Sequence, residues 1–129
     1  MSIIKIDLFG PVNPGPLCDY IVDSFGPGMF VPGEEPIAVI EAKDNEHFVM
    51  SSFTVALFTT KRLFLIHQKK KKYQDYPYNQ LVDYGIAKDG LISKRFVLEF
   101  YRDLISFPKK DELIELVVPA IREYSNANL

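Results

Sequence analysis

The chain has one cysteine, Cys18, two histidines, His47 and His67, and no tryptophan among its 129 residues. A lone cysteine excludes an internal disulfide and fits a reducing compartment. Neither histidine has a Cys or His neighbour at metal-ligand spacing. Cys18 lacks the setting of a nucleophile and reads as a small buried hydrophobe. The stretch FGPGMFVPG is rich in glycine, but no GxGxxG and no GxxxxGK followed by Ser or Thr occurs, so a nucleotide loop is not supported. Acidic residues are scattered without a recognisable acid–base pair. Apolar runs are short and interrupted, far from the ~18 residues of a membrane span. The N-terminal MSIIKIDLFGPVN has no small-residue cleavage site after a continuous apolar region and does not read as a signal peptide. These absences describe a non-enzyme without metal or cofactor, expected in the cytoplasm.

What is present fits one globular domain. The sequence is 47% hydrophobic and 25% charged, and at this length roughly two-thirds of the unfolded surface can be buried. The net charge of −2 is unevenly spread. Residues 1–60 hold two basic and eight acidic side chains, a balance of −6, whereas residues 61–129 hold thirteen basic and nine acidic, a balance of +4. Such polarity suits head-to-tail association or steering of an anionic partner, or is simply solvated.

Six of the nine prolines fall between residues 11 and 36. With the glycines beside them they break up regular structure. Ile4, Ile6 and Leu8 alternate with Lys5 and Asp7 as in a strand, and residues 17–24 are long enough for two helical turns. Residues 1–33 therefore read as a docked N-terminal arm. The alternation predicts that the arm pairs with a sheet edge, with a neighbouring copy slightly favoured over its own chain.

From Pro36 the pattern becomes β. Strands are predicted at 36–43, 48–59, 62–68, 73–78, 80–86, 91–101 and 104–108, separated by short turns such as Thr60-Lys61 and Asp89-Gly90. In the sixth, Phe96, Leu98 and Phe100 share one face, and Arg95, Val97 and Glu99 the other. Residues 109–124 then switch to a 3.6 period with apolar positions 113, 114, 117, 118 and 121. Acidic residues load the first turns of this helix and Arg122 its last. Residues 126–129 read as a tail.

Seven antiparallel strands followed by one amphipathic helix is the order of a pleckstrin-homology (PH) fold. FVPGEEPIAVIEA resembles the PGE segment leading into the first strand of bacterial PH-like domains. ALFTTKRLFLI looks like their strand–turn–strand signature. YQDYPYNQLVDYGI and KDGLISKRFVLEF are similar to the segment and hairpin that follow. The related GRAM domains share the T-x-x-R-L core. The likeness covers about residues 30–124 and leaves the arm unexplained. It implies a mainly β, α+β fold: a partly open barrel over residues 34–125, capped by the C-terminal helix. It further implies a binding function, towards a protein segment or through self-association.

Two features then bear on a site. Arg62 starts a strand after a Thr-rich turn and reads as a turn-fixing residue whose head reaches a carboxylate or carbonyls. Lys69, Lys70, Lys71 and Lys72 cannot all point inward from a strand, so they belong to a hairpin tip. That tip reads as a solvated loop or as an anion site. PH domains often hold phosphoinositide headgroups in loops at the open end of the barrel. Tyr73 and Tyr76 are the candidates to sit beside the lysines at a membrane interface. Nucleic acid is not expected at a sequence pI of 5.7 without an aromatic–basic RNA motif.

Overall fold

The computed structural model describes residues 2–6, 12–13, 28–41, 55–67, 71–91 and 93–127. Nine strands and one helix lie among them: β1 Ser2–Lys5, β2 Val12–Asn13, β3 Pro36–Glu41, β4 Val55–Thr59, β5 Arg62–His67, β6 Lys72–Pro77, β7 Leu81–Asp89, β8 Ser93–Phe100, β9 Asp103–Pro108 and α1 Asp111–Ala127. One sheet has the order β2-β3-β4-β5-β6, the other β1-β9-β8-β7. A 3-10 turn, Tyr78–Gln80, carries the chain from one to the other. β3 to β9 supply the seven strands read from the sequence. The start of the predicted 48–59 strand and the predicted 17–24 helix lie outside the described residues.

The strands alternate as their side chains require. Between the sheets lie Ala38, Ile40, Ala56, Phe58, Leu63, Leu65, Phe96, Leu98, Phe100, Ile105 and Phe107, all buried. β4 and β5 are apolar at nearly every position because their outer face is covered as well. There Val39, Val55, Leu57, Phe64 and Ile66 form a second cluster with Met29 and Phe30. A strand buried on both faces loses its alternation, which is why 55–66 reads as one continuous apolar run.

The helix closes the core with one stripe. Leu113, Val117 and Ile121 recur every four residues and are fully buried, and α1 lies against β3 and the 3-10 turn. Asp111 and Glu112 occupy its first turn, where the positive end of the helix dipole favours them. The helix runs to Ala127, into the stretch read as a tail, because nothing in Ser125-Asn126-Ala127 stops it as a glycine or proline would.

The arm pairs with a sheet edge, as its alternation predicts, but the edge is that of its own chain. β1 pairs with β9 of its own chain, in parallel, with Ser2 opposite Asp103 and Lys5 opposite Ser106, rather than with a neighbouring copy. The reason is a joint centred on Arg95. Its guanidinium donates to the Ser106 hydroxyl, to the Ser106 carbonyl at 2.9 Å and to the Ile6 carbonyl at 2.6 Å. The Ile6 amide in turn donates to the Ser106 carbonyl at 2.8 Å. Ile6 is thereby buried in the core. Arg95 is buried too, although it stands on the outward parity of β8.

Candidate functional site

The sharpest polar constellation in the molecule is structural. Val31, Pro32, Gly33 and Glu34 make a turn in which the Glu34 amide donates to the Val31 carbonyl at 3.1 Å. Gly33 takes a φ of 80°, a left-handed conformation that glycine adopts without penalty. The turn aims Glu34 at the β4–β5 connection. Arg62 meets it with two parallel bonds, Nε to Oε2 and Nη2 to Oε1, both 2.9 Å. The remaining Arg62 donors reach the Met29 carbonyl at 2.6 Å and Asp75 Oδ2 at 3.1 Å. The Thr59 hydroxyl donates to Glu34 Oε2 at 2.6 Å while accepting from the amides of Lys61 and Arg62. Tyr78 locks the same corner by donating to the Thr59 carbonyl at 2.7 Å.

Burial pushes the Glu34 carboxyl up, but hydrogen bonds from Arg62, Thr59 and the Val31 amide, with the Arg62 charge, outweigh it and hold the group below its ordinary value. Those bonds to Glu34 raise Arg62 in turn, against the effect of burial. Burial, and secondarily the Glu34 charge, raise Tyr78. Every strong partner in this node is used up inside the chain. Arg62 therefore fixes a turn, as its sequence context suggested, and joins the PGE segment to three strands.

The lysine hairpin is different. Lys69 and Lys70 lie outside the described residues. Lys71 sits at the tip with a φ of 51°, and Lys72 opens β6 opposite His67; both lysines are exposed. Tyr73 is 41% exposed and sets its ring edge-on against Phe64, 5.4 Å between centroids. Tyr76 is not part of that surface. Its side chain is on the opposite parity of β6, fully buried against Phe100, and its hydroxyl donates to Asp103 Oδ2 at 2.7 Å. Burial, and then the bond to Asp103, push its phenol up. The structure thus leaves Lys71, Lys72 and Tyr73 exposed near the hairpin tip, with Lys72 and Tyr73 on opposite parities of β6, and takes Tyr76 into the core.

A second surface was not picked out from the sequence. Among the described residues β7 is the end strand of its sheet, pairing only with β8. Val82 and Ile86 on it are 54% and 46% exposed. On the outward face of the same sheet, Gly85, Ala87, Val97 and Leu104 line a shallow groove of about 230 Å³ with Asp83 and Glu99 at its rim. The sequence shows one apolar parity in LVDYGI, Val82, Tyr84 and Ile86, but nothing that marks the strand as an edge.

Among the described residues no three His, Cys, Asp or Glu side chains are placed to hold a metal ion. No described helix is long and apolar enough to cross a membrane.

Two sheets closed at one end by a C-terminal helix make a pleckstrin-homology-like scaffold. The comparisons with known proteins agree. Residues 31–120 match the family described as bacterial PH domain, and the chain belongs to it. Among solved structures it is similar to a DUF1696 family protein with a pleckstrin-homology domain from Shewanella loihica, with a TM-score of 0.60 and 19% identity over 91% of this chain and 99% of that one. At that identity the likeness is one of fold. No curated protein matches the chain.

Proposed function

We propose that this chain is a non-enzymatic binding module whose working surface for a protein partner is the free edge of β7. The exposed apolar edge carries the reading: Val82 and Ile86 stand beside a row of backbone donors and acceptors that no described strand covers. A partner segment laid in extended form along such an edge gains main-chain hydrogen bonds, with alternate side chains seated on Val82 and Ile86. The PH scaffold of the family supports a binding role in general. Peptides selected on the immobilised protein from a random displayed library test the reading. Bound peptides are expected to slow amide exchange over residues 81–89. Protection confined to any other surface overturns it.

A second reading is attachment to anionic lipid headgroups through Lys69–Lys72 with Tyr73. The exposure of Lys71 and Lys72 at the hairpin tip favours it. Basic side chains close to an anionic bilayer contribute about 1 kcal/mol each. This reading places the protein at the periphery of a membrane rather than free in the cytoplasm.

A further inference from the structure

Four described strands end a sheet, and two of them are guarded. β1 has four residues. β6 begins with Lys72 and closes with Pro77, and its Asp75 carbonyl takes a hydrogen bond from Arg102 at 2.8 Å. Short length, lysine, proline and side-chain cover are the means by which natural proteins prevent edge-to-edge pairing. β7 has less of this protection, with an interrupted register between Leu81 and Asp83 and charges only at Asp83, Lys88 and Asp89. It runs nine residues from Leu81 to Asp89, the longest described strand, without proline and with a single lysine near its end. A long edge with exposed Val82 and Ile86 that no described strand covers calls for a covering strand.

We infer that the covering strand is β7 of a second copy, antiparallel to the first about a twofold axis through Gly85. The inference rests on the edge-binding reading above and names its partner. Antiparallel pairing of one strand with its own copy is isologous: residue i meets j and j meets i. Opposed side chains must share a face, so the axis passes through a residue, and the sequence of β7 discriminates among the choices. An axis at Ile86 sets the aspartates at 83 and 89 against each other twice, and like charges directly opposed destabilise a sheet. An axis at Tyr84 pairs Ile86 with position 82, where the β7–β8 register is already interrupted. An axis at Gly85 puts Tyr84 opposite the partner's Ile86, twice, an aromatic with a β-branched side chain. It puts Asp83 opposite the partner's Ala87, and Gly85 opposite itself. A Cβ built on Gly85 meets no atom within 4 Å, so the chain leaves the axis open. Val82 faces the partner's Lys88, whose aliphatic stem can cover it. The two four-stranded sheets then become one continuous sheet of eight, in the order β1-β9-β8-β7-β7-β8-β9-β1.

Light scattering on the full chain from micromolar to near-millimolar concentration reads the assembly directly, with a rise from 14.8 kDa to twice that mass expected. Two substitution sets read the register. Gly85→Cys, made in a chain carrying Cys18→Ser, is expected to give a disulfide-linked dimer under mild oxidation. Lys88→Cys in the same background does not, because positions 88 of the two strands lie roughly 20 Å apart at the rise of a β-strand. Ala87→Asp sets a carboxylate against the partner's Asp83 and is expected to weaken the dimer by about tenfold or more. Adding Asp83→Lys restores it. Circular dichroism confirms that each exposed-site variant remains folded. A mass of one chain throughout, with no more cross-linking at 85 than at 88, overturns the inference; so does a dimer indifferent to Ala87→Asp. If copies do not pair but selected peptides still protect residues 81–89, the self-pairing falls and the edge reading stands. If neither protects them, both fall.

Discussion

The Tyr76 hydroxyl on β6 donates to the Asp103 carboxylate on β9 at 2.7 Å, tying one sheet to the other at the corner where Arg102 lies over the Tyr76 ring, 4.9 Å from its centroid. Gln74 Oε1 stands 2.8 Å from the same hydroxyl. Tyr76→Phe keeps the packing against Phe100 and removes only the oxygen. A hydrogen bond to a charged group contributes about 1.5–3 kcal/mol, and Asp103 is half-buried, so a loss of about 1–2 kcal/mol is expected in urea titration. No change in stability refutes the tie.

The Arg62–Glu34 pair gives a pH-dependent prediction. Arg62→Ala leaves an ionised Glu34, whose side chain is fully buried, without its counter-charge. The expected cost at neutral pH is about 3–5 kcal/mol. Glu34 has a folded pKa below its ordinary value of 4.5. Its ionisation therefore stabilises the fold fully above that value, and the contribution fades as pH falls through the lower, folded value. Glu34→Gln is accordingly expected to flatten the acid side of the stability–pH curve, measured by denaturant midpoints between pH 7 and pH 2. A variant whose acid limb overlays the parent's refutes the assignment.

Changing Lys69–Lys72 together to Ser separates the two binding readings. Surface changes are usually within about ±0.5 kcal/mol, so the melting temperature should move little. If the tip serves anionic lipid, the variant loses flotation with phosphatidylserine vesicles at low and physiological salt. Unchanged flotation removes the lysines from the lipid reading.

Leu113→Ala opens a cavity under the helix. The site is fully buried, and a cost of about 2–5 kcal/mol is expected. A value near zero in chemical denaturation shows that α1 does not close the core.

Deleting residues 1–10 strips β1 from β9 and uncovers the site of Ile6. Because the pairing is within the chain, the solution mass per chain association should stay that of the parent, while ANS binding rises and the melting temperature falls. A drop in association state instead restores pairing between copies.

Strand order and the helix stripe were legible because they are local. Leu113, Val117 and Ile121 announce their common face by spacing alone, and Phe96, Leu98 and Phe100 by alternation. Arg62 could be read as a turn residue from the threonines before it. That Glu34 meets it could not, since the two lie far apart in sequence and only the Gly33 turn brings them together. Tyr73 and Tyr76 look alike in the sequence, yet an odd separation in a strand sends them to opposite faces. Arg95 misled by parity: it stands outward but is buried by the joint with Ile6 and Ser106, a long-range contact that no window of residues contains. The free edge of β7 escaped notice for the same reason, because an edge is a property of the whole sheet order.

The parallel pairing of Ser2–Lys5 with Asp103–Ser106 also sets a sequence of events. The first strand joins a partner roughly a hundred positions downstream, a contact of high order whose loop-closure cost must be met before it is rewarded. As the chain leaves the ribosome, every strand pair that does not involve β9 can form before β9 exists, while Ile4 and Ile6 wait without a ladder. β1 is thus the last strand that can be laid in place during synthesis, and only the closing helix α1 emerges after its partner.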